Sequence, residues 1–156
     1  MIADAAVRFA TVADAGAIAR MSRDQIEQGL PWSWTEGRVV RSIEDADTNV
    51  VVVEGHDDDL AAFGIMYYAQ DDAHLLLLAV RYARQRSGVG SAILLWLESA
   101  ARCAGARRIR VEARKDNDAA RSFYSEHGYH ERGIKPAMYS GVLDGVRLEK
   151  WLRIDA

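Results

Sequence analysis

Two short stretches, about a helix apart, hold the residue types in this chain that can do chemistry. The first, Gln85-Arg86-Ser87-Gly88-Val89-Gly90, lies between an apolar run at 74–80 and a helical run at 91–103. A phosphorylated ligand needs many donors for its oxygens. The amides that open a helix are unpaired, point forward and sit at the positive end of the peptide dipole. Ligand oxygens reach such amides only where side-chain bulk is missing, which Gly88 and Gly90 provide. Amides from Arg86 to Ser91 would make the cradle, with Arg84 or Arg86 adding charge at its rim. A plain capping turn would use the same glycines, and it is the strand before and the amphipathic helix after that favour phosphate binding. The second stretch, Asn117-Asp118-Ala119-Ala120-Arg121-Ser122-Phe123-Tyr124, is closed by Gly128-Tyr129 and places a phenol on a helix. With a reference pKa of about 10, a phenol keeps its proton at neutral pH and can give it to a leaving group. Together the two stretches point to acyl transfer.

Other cofactor chemistries fit poorly. No Gly-Lys-Ser/Thr follows the glycines, so this is no nucleoside triphosphate loop. Gly88-Val89-Gly90-Ser91-Ala92-Ile93 lacks the third glycine of a dinucleotide fingerprint, which argues against hydride transfer. His56, His127 and His130 show no metal-ligand spacing, and no metal is expected. The single cysteine excludes an intrachain disulfide and a cysteine-rich zinc site; Cys103, in an apolar helix, reads as a buried structural thiol.

An acceptor would need its own surface. Trp32-Ser33-Trp34 follows a Gly-Leu-Pro break and suits one wall of a groove, with Met66, Tyr67 and Tyr68 as its floor. His74 could relay a proton at the start of the central strand. Each of these, and Tyr124 with Ala120 and Phe123 beside it, also has a packing explanation.

The elements that position these residues follow from periodicity. Strands are expected at 7–10, 50–54, 60–69, 73–80, 107–114, from Gly128-Tyr129 onward, and at 147–154 after a turn at Asp144-Gly145. Helices are expected from Asp14 through Ile26 to the Gly29-Leu30-Pro31 break, from a Thr35 cap to about Ile43 with Arg38 and Arg41 outward, at 91–103, and at 118–126 behind an Asn117 cap. Leu75 to Leu78 are continuous rather than alternating, as in a strand covered on both faces. The order is β-α-α-β-β-β-α-β-α-β-β: one mixed α/β domain over 1–156, with helices on both faces of its sheet. A 49% apolar fraction fills such a core, and a net charge of −3 argues against a general nucleic-acid binder. With no basic leader and no long apolar run, the expectation is a cytoplasmic protein off the membrane. The final strands offer an edge that permits a homodimer without requiring one, so a monomer is equally open.

The segment Val80-Arg81-Tyr82-Ala83-Arg84-Gln85-Arg86-Ser87-Gly88-Val89-Gly90 resembles the acetyl-coenzyme A loop of the GCN5-related N-acetyltransferase (GNAT) superfamily. Gln85, Gly88 and Gly90 meet its Arg/Gln-x-x-Gly-x-Gly/Ala pattern; Arg86 and Tyr82 stand where many members have glycine and proline. Asn117-x-x-Ala120-x-x-Phe123-Tyr124-x-x-x-Gly128-Tyr129 is similar to the signature that packs along the pantetheine arm. The resemblance spans essentially the whole domain. It implies the GNAT fold, with a central mixed, mostly antiparallel sheet, and transfer from acetyl-CoA to a primary amine in a ternary complex. It further implies Tyr124 as the acid for the coenzyme A thiolate and a main-chain oxyanion donor near Ala79 or Val80. Tyr139 falls in an acceptor-facing loop. Val111-Glu112-Ala113-Arg114-Lys115-Asp116-Asn117 resembles the ribosomal-protein-alanine N-acetyltransferase branch, where Glu112 has the place of a base. Alternation along the strand leaves a second account open, in which Glu112 balances Arg110 and Arg114. The acceptor, a protein N-terminus or a small amine, is not set by these motifs. A non-catalytic acyl-CoA-binding module on the same scaffold is the competing reading.

Overall fold

Val50, Val51, Val52 and Val53 are all buried, which a strand achieves only with a packed layer on each face. The structure, a computed structural model, describes residues 6–56, 59–82, 85, 87–139, 141 and 143–152. Its elements are β1 (Val7–Phe9), α1 (Ala15–Met21), α2 (Glu36–Glu44), β2 (Thr48–Glu54), β3 (Leu60–Ala69), β4 (Asp72–Val80), α3 (Val89–Cys103), β5 (Arg108–Arg114), α4 (Asp118–Glu126), β6 (His130–Tyr139) and β7 (Leu143–Trp151). This is the expected order. The strands form one sheet, β1-β2-β3-β4-β5-β7-β6, antiparallel except at β4–β5.

Each face of the sheet has its own core. Ile93, Leu94 and Leu97 of α3 and Tyr124 of α4 pack on Val51, Met66, Leu75 and Val111. On the other face Ile18, Trp34 and Val39 pack on Val50, Val52, Phe63 and Leu77. Each fully buried aliphatic side chain contributes about 1.5–3 kcal/mol. The second core uses β2, β3 and β4 only, so α1 and α2 cover half of their face and leave β5, β7 and β6 without a helix.

Several local expectations are corrected. After Met21 the first helix widens into a π-helical turn, Ser22–Ile26, instead of running on as α-helix. Arg38 is not outward: its guanidinium stacks 3.8 Å from the Trp34 ring centroid. Cys103 is exposed, because it lies two residues past Ala101 and falls off the buried stripe of α3. Asp144 and Gly145 belong to β7 rather than a turn, with Gly145 paired to Arg114 on one side and Lys135 on the other. Among the described residues no helix is long and apolar enough to cross a membrane.

Candidate active site

The site begins where β4 and β5 part. Their parallel ladder runs only from Asp72–Arg108 to Leu75–Val111, although both strands continue. On the other side of β4 the register with β3 slips between Leu75 and Leu77, which makes Leu76 a bulge. An inserted residue bends its strand and ends local pairing. It also puts Leu76 and Leu77 on one face, so β4 changes sides between its halves: Ala73 and Leu75 face α3, then Leu77 and Ala79 face α1.

Beyond the bulge the free edge of β4 offers main-chain groups to the gap. The Arg81 N–H donates to Ala61 O at 2.8 Å, so Ala62 and Val80 form a pair without mutual hydrogen bonds. In such a ladder the main-chain groups of Val80, and of Leu78 two residues back, turn away from β3 and toward the gap. Ala79 lies between them, with its main chain turned to β3 and its buried side chain in the α1 layer. Of the expected pair, Val80 is the one aimed at the gap, and Leu78 joins it.

The glycine turn continues from this edge. Val80 O accepts from Gln85 Nε2 at 3.0 Å and from Gln25 Nε2 at 2.9 Å, while Gln25 Oε1 accepts from the Tyr82 N–H at 3.0 Å. Gly88 sits at φ +87° as the residue before α3, a left-handed conformation that favours glycine. Val89, Gly90 and Ser91 then form the first helical turn, whose amides have no partner within a helix. A Cβ on Gly90 would lie 3.2 Å from Val80 Cγ2 and 3.4 Å from the Phe123 ring, so the glycine lets three elements close on one another. Ser87 is exposed in the turn. Arg84 and Arg86 lie outside the described residues. The Ser91 hydroxyl is spent on α4: His127 Nδ1 faces Phe123 O at 2.8 Å, which leaves Nε2 to accept from Ser91 Oγ at 2.9 Å.

Helix α4 starts as expected, with Asn117 Oδ1 accepting from the Ala120 N–H at 3.0 Å. Ala120 and Phe123 pack on the α3-side core, and Tyr124 is buried between Phe123 and Tyr129. Burial, and then the nearby Tyr139, push the Tyr124 phenol well above its ordinary range. Its hydroxyl makes no hydrogen bond to a described residue. It is a neutral, available donor.

Glu112 lies across the gap. Val111 and Ala113 face α3, so Glu112 points to the opposite face, where its Oε1 meets His74 Nε2 at 2.7 Å. Burial alone would raise its pKa. The hydrogen bond and charge of His74 outweigh that, helped by Lys135 and Arg110, and hold the carboxyl below its ordinary value. Glu112 thus shares the face of Arg110 and Arg114, as strand alternation requires, but its ion-pair partner is His74. Arg110 leans 3.7 Å from Asp72, and Arg114 holds Asp116 and donates to Gln28 O at 2.9 Å. Tyr139 stands near both Glu112 and Tyr124; burial and then the Glu112 charge push its phenol up to about 12.

The expected acceptor wall is divided. Trp32 is 42% exposed, whereas Trp34 is buried in the α1–α2 core. Tyr67 is exposed and pairs with His74 on the Glu112 face, but Met66 is fully buried in the core on the opposite face and cannot line this groove. Tyr68 is half-buried and bonds Asn49.

Two residues had no part in the sequence reading. Gln25 joins the π-helical turn to the end of β4, and Glu27 is a buried carboxylate that accepts from Ser22 Oγ, Ser33 N, Ser33 Oγ and Trp34 N. The partners of Gln25, Val80 at the end of β4 and Tyr82 just past it, are 55 and 57 residues away, beyond any local pattern. Glu27 had one signal, a carboxylate just ahead of the Gly29-Leu30-Pro31 break. Among the described residues no three His, Cys, Asp or Glu side chains gather as metal ligands.

Residues 19–129 match the model of a family described as Acetyltransferase (GNAT) family. No curated protein sequence matches the chain significantly. Among solved structures, the ribosomal-protein-S18-alanine N-acetyltransferase from Escherichia coli superposes with a TM-score of 0.81 at 23% identity, over 97% of this chain and 96% of that one. A ribosomal-protein-alanine N-acetyltransferase from Brucella melitensis gives 0.79 at 18% identity, over 94% and 99%. The PaiA N-acetyltransferase from Thermoplasma acidophilum, solved in complex with coenzyme A, gives 0.77 at 17%, over 94% and 98%. These likenesses are of fold.

Proposed function

The chain belongs to the acetyltransferase (GNAT) family, and from that premise we propose that it moves the acetyl group of acetyl-CoA directly to a primary amine, with donor and acceptor bound together. The amine belongs to a peptide N-terminus or a small molecule. The observation that carries this reading is convergence: the inward-turned amides of Leu78 and Val80 and the Glu112–His74 pair border the gap between β4 and β5, and Tyr139 stands near both Glu112 and Tyr124.

The first-turn amides of α3, with Gln85 and Ser87 beside them, hold the pyrophosphate, and Gly90 keeps that approach clear. The exposed β4 edge pairs with the pantetheine amides, with Asn117, Ala120 and Phe123 bordering the arm from α4. Bound there, the donor supplies a thioester carbonyl. Glu112, an anion at neutral pH and hydrogen-bonded to His74, accepts a proton from the incoming ammonium and leaves a lone pair to attack the carbonyl carbon. A Val80 or Leu78 amide stabilises the oxyanion that develops, and the fixed main chain gives this donor without reorganisation. As the C–S bond breaks, Tyr124 gives its proton to the sulfur, and the second proton leaving the new amide nitrogen restores the phenol. Trp32, Tyr67 and Tyr139 border the acceptor's path, and Trp34 supports it from the core.

The test follows free thiol released from acetyl-CoA across an array of peptides and small amines. Tyr124→Phe keeps the ring packing and removes the donor, so the chemical step should fall by roughly 10²-fold with coenzyme A affinity unchanged. Normal turnover by that variant would remove Tyr124 from the acid role. Coenzyme A binding without acceptor-dependent thiol release would instead indicate a binding module.

A further inference from the structure

Beyond Glu112 the sheet face that α1 and α2 leave uncovered is paved with charge. Arg147 of β7 is the direct cross-strand neighbour of Glu112, and both point away from the α3 layer that takes Val146 and Leu148. Directly opposed side chains on such a ladder have Cβ atoms about 4.5–5.5 Å apart. Lys135 of β6 pairs with Gly145 on the same face and stands close enough for its charge to act on Glu112. The other cations on this face have counter-ions: Arg108 holds Asp72 and Glu149, and Arg132 holds Glu149. Arg147 and Lys135 are both exposed, and neither forms an ion pair with a described residue.

This is an unusual floor for an amine acceptor, which arrives as a cation. Glu112 offers one negative charge, already shared with His74, and beside it lie Arg147 and Lys135, neither in an ion pair with a described residue. A simple alkylammonium meets net repulsion there. An acceptor that carries its own carboxylate a few bonds from the amine meets a matching pattern, amine to Glu112 and carboxylate to Arg147 and Lys135. We propose that Arg147 and Lys135 form an anion subsite that selects acceptors bearing a carboxylate close to the reacting amine. The chemistry is that of a peptide with an acidic residue at its N-terminal end, or of a free amino acid. The proposal rests on the acetyl-transfer reading and names its acceptor class.

The experiment measures thiol release by the intact protein with acetyl-CoA and matched acceptors. Amidated peptides differ only in carrying Glu, Gln or Arg at the second position, and free glutamate and its diamide form a parallel small-molecule pair. The acidic peptide should exceed its Gln counterpart by about fivefold in kcat/KM, the upper end for an exposed ion pair, and the advantage should appear in KM and shrink with added salt. Arg147→Gln should collapse the Glu-to-Gln ratio toward unity, and Arg147→Glu should invert it. Lys135→Gln should reduce it in part. A preference seen with peptides alone assigns the subsite to peptides, and one seen with glutamate alone assigns it to small molecules. Turnover with equal or greater efficiency on the Gln and Arg peptides, or a ratio that survives Arg147→Glu, overturns the inference and leaves acetyl transfer standing. Failure of every acceptor to release thiol takes down acetyl transfer and the subsite together.

Discussion

Replacing Glu27 by Gln changes one oxygen for one NH2 group, and the geometry predicts a large effect. The Glu27 carboxylate accepts only. Ser33 N and Ser33 Oγ donate to Oε1, both at 2.6 Å, while Ser22 Oγ at 3.1 Å and Trp34 N at 3.2 Å donate to Oε2. An amide in that place must turn its NH2 toward one of these donor sets. If it faces Ser33, two short bonds become donor–donor contacts, although Ser33 is exposed and its N–H can find water. If it faces Ser22 and Trp34, a main-chain N–H in a buried residue loses its acceptor; the Ser22 hydroxyl alone can rotate and accept. Hydrogen bonds to charged groups are worth about 1.5–3 kcal/mol each, and a stranded buried donor costs about 1–3 kcal/mol. Either arrangement therefore destabilises by about 3 kcal/mol. For a domain of this size that lowers Tm by roughly 6–12 °C. The functional consequence is separable, because the carboxylate ties the π-helical turn to the loop carrying Trp32. Freed, that loop should raise the acceptor KM severalfold while coenzyme A affinity, assigned by the proposal to α3 and β4, stays put. Urea denaturation, calorimetric titration with coenzyme A and acceptor saturation curves give the three readings. A stability change under 0.5 kcal/mol with an unchanged acceptor KM would refute the view that Glu27 holds the loop.

Three further predictions follow from other parts of the molecule. Gly90→Ala puts a methyl 3.2 Å from Val80 Cγ2, and should weaken coenzyme A binding roughly tenfold in a direct titration, with little change in fold by circular dichroism. The folded pKa of Glu112 lies below the ordinary 4.5, so its stabilisation is present above that value and disappears as pH falls through the lower, folded one. Denaturation curves from pH 7 to pH 3 should show Glu112→Gln losing less stability than the native chain on acidification, and parallel curves would count against this assignment. The buried Glu98 accepts from Lys150 Nζ at 3.1 Å and from Tyr129 Oη at 2.8 Å. Lys150→Met should cost about 3 kcal/mol by stranding a buried carboxylate, and the double variant Glu98→Gln/Lys150→Met should recover most of it in urea denaturation, since the amide oxygen still accepts from Tyr129.

What was legible in the sequence divides along the range of the interactions. Gly88 caps α3 and Gly90 lies in its first turn, and Asn117 caps the helix carrying Tyr124; each is a local device whose meaning lies within a few residues. The order of elements was readable for the same reason, since period-two and period-3.6 burial are local patterns. The misjudged positions depend on distant partners or on a single shift in register. Nothing near Met66 shows which face it takes, because that follows from pairing Met66 with Leu75 next to the bulge at Leu76. Alternation sets Glu112 beside the arginines two residues either side, yet its partner is His74, 38 residues back and brought close where β4 and β5 run parallel. The bulge accounts for part of this: the β4–β5 ladder ends at Leu75, one residue before it, and beyond it the Leu78 and Val80 amides turn into the gap. One inserted residue in a run of four leucines thus stands between the two sides of the proposed site: beyond it runs the free strand edge assigned to the donor, and across the gap lies the charged face assigned to the acceptor.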